Sequence, residues 1–293
     1  MKKLKPIITI YIVFILGVGV IYAQSDTWTQ KADFGGTARR SAVGFSIGSK
    51  GYIGTGYDGV TNYKDFWEYD PNSDTWTQKA DFGGTTRRAA VGLSIDNKGY
   101  IGTGLDGVTN YKDFWEYDTT NNIWTQKADF GGTARYGTVG FSIGSIGYVG
   151  TGNDGVNKND FWAYNPLSNT WTQKADFAGT ARRNATGFSI DNKGYIGTGY
   201  DGSTIKDFWE YDTLGNTWTQ KNDFGGTSRD LATGFAIVNK GYIGTGVSGG
   251  TNHKDFWEFD PLSNTWTQKA DFGGTARRIS VGFSINNKGY LGT

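Results

Sequence analysis

Apolar and polar residues alternate in short runs along the chain, and the runs are separated by glycine-rich turns. In the segment 43–47 (VGFSI), large apolar residues occupy alternate positions, with glycine and serine between them. A period of two is typical of β-strands, and no stretch after Ser25 shows the 3.6-residue period of an amphipathic helix. The pattern predicts an all-β protein built from many short strands.

The pattern repeats, and the repeat is marked by two recurring tryptophans. A Trp-Thr phrase recurs at spacings of 48, 48, 47, 47 and 48 residues, and a Phe-Trp phrase recurs once per unit between its copies. Nothing resembling a linker interrupts the series after Ser25, so the repeats predict one domain. The tryptophans of the first phrase are Trp28, Trp76, Trp124, Trp171, Trp218 and Trp266, and those of the second are Trp67, Trp115, Trp162, Trp209 and Trp257.

Four strands fit one unit of about 48 residues. They are predicted at 42–47, 52–56, 66–70 and 75–78. The first strand has one face of small residues, which suits a crowded position near an axis. The Asp70-Pro71 pair begins a type I turn between the third and fourth strands.

A sheet of this size is too small to be stable alone. Ordering its backbone costs ~1–2 kcal/mol per residue, whereas a buried tryptophan returns only about 4–6 kcal/mol. Each sheet must therefore bury both faces against neighbours, as the blades of a propeller do. The tryptophans predicted to form this blade core are Trp67, Trp76, Trp115, Trp124, Trp162, Trp171, Trp209, Trp218, Trp257 and Trp266.

The unit resembles the kelch repeat, which carries a glycine pair, a Tyr-Asp pair, a tryptophan and an arginine at comparable spacing. Here these are Gly54 and Gly56, Tyr69-Asp70, Trp76 and Arg87, although Thr55 splits the glycine pair. The resemblance covers Trp28 to Thr293 and implies a propeller with a central channel and loop-built binding rims. We therefore predict a kelch-type β-propeller of four-stranded antiparallel blades, with five complete units and an incomplete sixth.

The resemblance also extends to the propeller of galactose oxidase, but the copper site of that enzyme has no counterpart here. Such a site needs histidine ligands and a Cys–Tyr link, and this chain has one histidine and no cysteine. The sequence predicts neither a metal nor a cofactor.

The last unit predicts only two strands, at 279–285 and 289–293. The segment around Trp28 matches a fourth strand, so we expect the ring to close by exchange between the two ends. On this interpretation the chain is a fragment that lacks one third strand. The alternative is a natural six-blade ring that tolerates a gap.

Residues 1–23 resemble a secretory signal peptide, with three lysines, an apolar stretch and Ala23 at the cleavage position. Residues 24–293 then form the propeller, exported to the periplasm, the cell surface or the medium of a bacterium. An uncleaved membrane anchor is the alternative. Cleavage lowers Lys+Arg from 29 to 26 against 28 Asp+Glu, a balance that predicts no attraction to nucleic acid. The mature chain is predicted to be a monomer without a transmembrane segment.

Several motifs suggest chemistry but have a structural explanation. Gly54-Thr-Gly-Tyr-Asp-Gly59 matches the dinucleotide fingerprint, yet a predicted strand follows it where that fingerprint needs a helix. The aspartates of the same loop could bind calcium, but one carboxylate per loop favours a turn. His253 is the only histidine and lies in a polar loop. The loop aspartates are Asp58, Asp106, Asp154 and Asp201, with Ser248 in the fifth copy.

Two charged positions recur in every unit or nearly so. All four glutamates occupy one repeat position, which Ala163 fills in the third unit, and we interpret them as hydrogen-bonding partners between blades. An arginine recurs in all six units, and we expect it to pair with the aspartate of the nearby Ala-Asp-Phe or Asn-Asp-Phe. The glutamates are Glu68, Glu116, Glu210 and Glu258, and the arginines are Arg39, Arg87, Arg135, Arg182, Arg229 and Arg277.

Positions that differ between units indicate a candidate ligand site. Two loops, one between blades and one between the second and third strands, are expected on the same rim of the disc, where sequence variation suits ligand binding. The alternative is that these residues vary only through sequence drift at exposed positions. A mixed Arg/Tyr rim suits an acidic peptide or an anionic glycan. The predicted rim residues are Arg40, Arg88, Tyr136, Arg183, Asp230, Arg278, Tyr57, Leu105, Asn153, Tyr200 and Val247.

The favoured function is therefore a non-catalytic, exported scaffold that binds a protein or a glycan. A carbohydrate hydrolase or lyase on the same ring is an alternative, although it needs an acid/base pair unique to one blade, and the sequence shows none. A structural or adhesive surface protein without a single ligand is the third hypothesis.

Overall fold

The computed structural model of this chain describes residues 26–293, so the predicted signal peptide lies outside the described residues. This part consists of 24 β-strands, and it contains no helix long and apolar enough to cross a membrane. The first three blades comprise β1 (Val43–Ile47), β2 (Lys50–Gly54), β3 (Phe66–Asp70), β4 (Thr75–Lys79); β5 (Val91–Ile95), β6 (Lys98–Gly102), β7 (Phe114–Asp118), β8 (Ile123–Lys127); β9 (Val139–Ile143), β10 (Ile146–Gly150), β11 (Phe161–Asn165) and β12 (Thr170–Gln173).

The remaining strands form two further blades, a partial sixth blade and one small hairpin. They are β13 (Thr186–Ile190), β14 (Lys193–Gly197), β15 (Phe208–Asp212), β16 (Thr217–Lys221); β17 (Thr233–Ile237), β18 (Lys240–Gly244), β19 (Val247–Ser248), β20 (Thr251–Asn252), β21 (Phe256–Asp260), β22 (Thr265–Lys269); β23 (Val281–Ile285) and β24 (Lys288–Gly292).

Each complete blade is an antiparallel meander whose strands are neighbours in chain order, and β19–β20 is a hairpin inserted in the fifth blade. The first strand of each blade contacts the first strands of the blades on either side, and β23 closes the circle by packing between β17 and β1. The predicted all-β propeller, with five complete blades and a partial sixth, is confirmed.

The second strand ends earlier than the sequence suggested. We predicted 52–56, but β2 is Lys50–Gly54, because Thr55 and Gly56 have φ angles of 60° and 102° that leave the extended region. The first strand of the last unit was predicted at 279–285, but it begins only at Val281. Ile279 has a φ of 61°, which likewise leaves the extended region. The third strand, Phe66–Asp70, is as predicted.

The inner strands need glycine because the next blade packs directly on their small face. A Cβ on Gly44 would lie 2.0 Å from Val281 Cγ1, and one on Gly92 would lie 2.8 Å from Val43 Cβ. Such contacts are too short for real atoms, so any larger side chain would force the blades apart. The alternation of large and small residues therefore sets the distance between blades.

Aromatic side chains fill the interfaces between blades. Phe66 of the first blade meets Tyr117 and Trp124 of the second, with ring centroids 4.8 and 5.0 Å apart in edge-to-face geometry. The phenylalanine and tyrosine are fully buried, whereas Trp67 and Trp124 are half-buried at the outer side of the interface. The predicted core tryptophans thus lie between blades, but the buried centre belongs to Phe and Tyr.

Both ends of the described chain take part in closing the ring. The Trp28 indole N–H donates to the Ala270 carbonyl at 3.2 Å, as Trp76 donates to Ala32 in the first blade. Its ring also packs edge-to-face on Phe256, with centroids 5.1 Å apart. Trp28 therefore occupies the fourth-strand position of the sixth blade.

A ring of six backbone hydrogen bonds encircles the axis. One residue of each unit, in the left-handed conformation with φ between 50° and 64°, donates its N–H to the carbonyl of the equivalent residue in the preceding unit. The distances are 2.8–3.3 Å, and the bond from Ser41 to Ile279 joins the first unit to the sixth. The ring residues are Ser41, Ala89, Gly137, Asn184, Leu231 and Ile279.

The repeated arginine is buried, but its predicted partner was wrong. The guanidinium of Arg39 forms an ion pair with Asp65, which precedes the third strand, and not with Asp33 of Ala-Asp-Phe. Asp65 lies 26 residues away in sequence, beside the carbonyl of Thr55 to which Arg39 also donates. Equivalent pairs are Arg87–Asp113, Arg135–Asp160, Arg182–Asp207 and Arg229–Asp255.

The glutamates were also assigned to the wrong partners. Glu68 accepts a hydrogen bond from the hydroxyl of Tyr52 at 2.6 Å and pairs with Lys79 at 3.5 Å. Both partners lie on neighbouring strands of the same blade, because residues 52 and 68 are opposite each other in the antiparallel register. The glutamates therefore stabilise single blades and do not link one blade to the next.

Candidate functional site

Six of the variable rim positions lie beside the axial ring, because each of the six directly precedes a ring residue in sequence. The backbones of Arg40 and Tyr57 form a two-way bridge, with both N–H···O distances at 2.9 Å. This bridge joins the loop between blades to the loop between the second and third strands, so the two predicted sets of variable residues meet beside the axial ring. The equivalent bridges are Arg88–Leu105, Tyr136–Asn153, Arg183–Tyr200 and Asp230–Val247.

Arginine and tyrosine stack on each other in the first two units. The guanidinium carbon of Arg88 lies 4.3 Å from the centroid of the Tyr57 ring, and that of Arg40 lies 5.6 Å from it. Arg88 Nη1 also donates to Asn62 Oδ1 at 3.1 Å, while Asn62 Nδ2 donates to the Asp106 carbonyl at 2.6 Å. Asn62 and Tyr57 therefore hold one edge and one face of Arg88, which leaves its other donors for a ligand.

The fourth unit repeats this arrangement. Arg183 lies 4.8 Å from the Tyr200 ring centroid and donates to Asn157 Oδ1 at 3.3 Å. Asn157 donates in turn to the Tyr200 carbonyl at 3.1 Å. Asn62 and Asn157 were not predicted as supports of the arginines, although an asparagine recurs before Tyr63 and Tyr111 in the first two copies of this loop.

Asp230 is the acidic member of the rim and is 8% exposed. Burial raises the pKa of Asp230 above its ordinary value, although a hydrogen bond from Asn184 and the charges of Arg183 and Arg278 oppose the rise. The acid thus lies in the field of the arginines on either side of it. Three successive units, beginning with the unit that follows that of Asp230, carry Arg278, Arg40 and Arg88 at this rim position.

The loop aspartates are engaged within their own turns. Asp58 accepts hydrogen bonds from the N–H groups of Val60 and Thr61 and from the hydroxyl of Tyr63, each at 2.7 Å. These donors lower its pKa to about 2. Among residues 26–293 no cluster of three or more acidic, histidine or cysteine side chains could hold a metal ion.

His253 forms a side-chain contact that closes its loop. Its Nε2 lies 2.6 Å from Ser248 Oγ, at the place where Asp58 and Tyr63 contact each other in the first unit. Burial, assisted by the charge of Arg229, lowers the pKa of His253. The Ser–His pair therefore substitutes for the Asp–Tyr contact of the first two loops, Asp58–Tyr63 and Asp106–Tyr111.

The G-x-G-x-x-G motif belongs to the same loops. Residues 54–59 are followed by the β3 strand, so no helix N-terminus is available to bind a phosphate there. The motif instead supplies positive φ values, 102° at Gly56 and 112° at Gly59, for the sharp turn that presents Tyr57 at the rim.

Comparison with known proteins supports the fold and adds nothing on activity. No protein-family model matches this sequence, and no curated protein matches it. The solved structure of YjhT superposes with a TM-score of 0.73 at 15% sequence identity, over 85% of this chain and 88% of YjhT. At this identity the likeness shows the fold alone, a kelch-like β-propeller.

Proposed function

We propose that this protein is an exported, non-catalytic scaffold whose rim binds an anionic ligand, either an acidic peptide or an anionic glycan. The observation that carries the proposal is the arc of Arg278, Arg40 and Arg88 at the mouth of the channel. These residues belong to the sixth, first and second units, which are neighbours around the ring. Three cations at equivalent positions of adjacent blades form a curved, positively charged edge.

The arginines are suited to carboxylate or sulfate groups. A guanidinium presents a planar fork of donors that matches two oxygens at once. Arg40 and Arg278 are exposed, and Arg88 is half-buried and held over Tyr57. Because Arg88 is already oriented, less side-chain entropy is lost when a ligand binds.

A carbohydrate-active enzyme is the second candidate, and Asp230 is the observation that favours it. Asp230 is the one carboxylate at the rim position in the described units, and its pKa is raised as a general acid requires. Glycoside hydrolysis ordinarily uses two carboxylates, and a second one beside Asp230 would have to come from the loops. The Asp230→Asn variant separates the two functions, since binding of an anion should persist or strengthen in it.

The test is binding of a labelled acidic peptide and a labelled polyuronate to the wild-type protein and to the Arg40→Ala/Arg88→Ala/Arg278→Ala variant. Loss of saturable binding, and a fall in wild-type affinity with salt, would support the proposal. The matched control is Lys50→Ala/Lys98→Ala/Lys193→Ala, which removes the same charge at the hairpin ends of the first and second strands, on the other face. Equal loss in both variants, or no binding by wild type, would refute it; the second outcome would favour the structural or adhesive role.

A further inference from the structure

Asp230 is the one acid among the eleven rim residues, and its carboxylate has few partners for a buried charge. The residue is 8% exposed. Its Oδ2 accepts a hydrogen bond of 3.3 Å from Asn184 Nδ2. Apart from its own backbone N–H, no other group among residues 26–293 donates to this carboxylate, and it forms no ion pair there. It therefore has room for a further donor.

The carboxylates inside the blades are far better supplied with donors. Asp255, for example, accepts from both terminal nitrogens of Arg229, at 2.6 and 2.8 Å. Arg183 and Arg278 act on Asp230 through their charges and not through such a pair. Buried charges in proteins are ordinarily paired and hydrogen-bonded, so the environment of Asp230 is exceptional within this molecule.

The backbone of the fold does not need an acid at this position. The five equivalent residues are four arginines and one tyrosine. What they share with Asp230 is the main-chain bridge, which joins Asp230 to Val247 at 3.1 and 3.0 Å and joins Arg183 to Tyr200 at 3.1 and 2.9 Å. The carboxylate takes no part in that bridge, and it is therefore a candidate for a role in ligand recognition.

The axial ring places an arginine on each side of the acid. The ring residue that follows Asp230 donates to the carbonyl of Asn184 at 3.2 Å and accepts from the N–H of Ile279 at 3.0 Å. Arg183 directly precedes Asn184, and Arg278 directly precedes Ile279. Three successive units thus present a positive, a negative and a positive group at neighbouring rim positions, where one ligand can reach all of them.

This order of charges selects a ligand that carries both signs. A ligand with cations alone is repelled by Arg183 and Arg278, and a ligand with anions alone is repelled by Asp230. Carboxylates suit the planar guanidinium groups, and a compact ammonium group suits a single carboxylate. A ligand with an ammonium group close to carboxylates satisfies all three side chains at once.

The burial of Asp230 favours a peptide as the source of the ammonium group. Because little of the side chain is exposed, only a group at the end of a narrow arm can reach it. The N-terminus of a peptide and the side chain of a lysine are such groups. An amine bonded directly to a sugar ring within a polymer is flanked by bulky neighbours on both sides.

We propose that Asp230 is a specificity-determining residue of the rim and that the ligand is an acidic peptide with an ammonium group. The ammonium group, from the N-terminus or from a lysine, pairs with the Asp230 carboxylate, while carboxylates of the same peptide pair with Arg183 and Arg278. This inference rests on the proposed function, since it requires a rim that binds anions. It adds that a peptide of mixed charge binds more tightly than a purely acidic one.

The test compares two peptides that differ by one charge. Both have the sequence Gly-Glu-Glu-Gly-Glu with fluorescein at the C-terminus, and one is acetylated at the N-terminus. At pH 7 most of the free α-amino group is protonated. Fluorescence anisotropy should show that wild type binds the free peptide about tenfold more tightly, the effect of one charge-assisted hydrogen bond. An acetylated peptide with one added lysine distinguishes the two sources of the ammonium group.

Variants of Asp230 should remove this preference. In Asp230→Asn the free peptide loses its partner and the acetylated peptide loses a repelling charge, so their affinities should become equal or reverse in order. Asp230→Arg should do the same, and it introduces the residue type that four other units carry here. The matched control is Asp191→Asn at the hairpin between β13 and β14, because Asn286 has the equivalent position with a similar φ, 55° against 51°. This control should keep the wild-type preference.

Four results would overturn the inference. Equal affinities of wild type for the free and acetylated peptides would refute the role of Asp230 and leave the proposed function standing. No saturable binding of either peptide or of the polyuronate would refute both. A preference that persists in both Asp230 variants would place the ammonium group elsewhere. Tighter binding of an oligosaccharide of glucuronate and glucosamine with free amines, if lost in Asp230→Asn, would make the ligand a glycan.

Discussion

The buried arginine–aspartate pair provides a quantitative test of what holds each blade together. In the fifth blade, Arg229 is fully buried and donates to both carboxylate oxygens of Asp255, at 2.6 and 2.8 Å. It also donates to the carbonyls of Thr245 and Thr227. Asp255→Asn removes the negative charge, preserves the side-chain volume and leaves the guanidinium in its buried place.

The expected loss of unfolding free energy is about 3–5 kcal/mol, the usual cost of leaving one member of a buried ion pair without its partner. The contacts give a similar figure, since two hydrogen bonds involving charged groups contribute about 1.5–3 kcal/mol each. The stacking of Arg229 on Phe224, at 4.9 Å, survives the change and contributes nothing to the loss.

The assay is guanidinium chloride unfolding followed by tryptophan fluorescence, with circular dichroism as a second probe of the same transition. The repeat offers a matched comparison, because Arg277 occupies the equivalent position and no side-chain carboxylate among residues 26–293 pairs with it. We expect Arg277→Met to cost less than about 1 kcal/mol and Arg229→Met to cost clearly more. A loss below 1 kcal/mol for Asp255→Asn, or equal losses for the two arginine variants, would refute the reasoning.

Two other perturbations test the same structure. Burial alone would raise the pKa values of Asp65, Asp160 and Asp255, but hydrogen bonds from their arginines and tryptophans outweigh it and lower them. The stabilisation is therefore complete above the ordinary aspartate pKa of about 4 and is lost as pH falls through the lower native pKa values. Urea unfolding at a series of pH values should show the unfolding free energy falling over this acidic range, and Asp255→Asn should make that fall smaller. Gly194→Ala should destabilise the protein by about 1–3 kcal/mol, because its Cβ would lie 2.3 Å from Phe141, whereas Gly292→Ala should change the midpoint of thermal unfolding little. Equal midpoints for the two glycine variants would contradict the account of inter-blade packing.

The periodic features of the fold could be predicted from the sequence because they depend on local patterns. The recurrence of tryptophan predicted the unit, and the third strand was predicted at Phe66–Asp70, as the structure has it. The small face of the first strand indicated its place near the axis, because only a closely packed neighbour requires glycine at that position.

Contacts between residues distant in sequence were harder to predict. Asp33 is six residues from Arg39 and looked like its partner, whereas the actual partner, Asp65, comes close only after the blade has folded. The end of β2 depends on the left-handed conformation of Thr55, a β-branched residue that rarely adopts it. Its burial and the hydrogen bond that its carbonyl accepts from Arg39 favour that conformation, and neither is visible in a local pattern.

The rim was predictable as a set of variable positions but not as an arrangement. Variation between copies identified Arg40, Arg88 and Tyr57. Tyr57 contacts Arg40 of its own unit and Arg88 of the next unit, and the second contact forms only when the blades are assembled. Sequence alone therefore gave the candidate residues, and the assembled ring gave their electrostatic neighbours.

The axial ring has a consequence for how such a molecule can change over time. Its six links join main-chain atoms only, and the side chains at those positions are as different as those of Ser41, Gly137 and Ile279. Mutation can therefore alter the lining of the channel mouth one unit at a time while the circular linkage persists. A new specificity can evolve at the centre of the disc without a compensating change in any other blade.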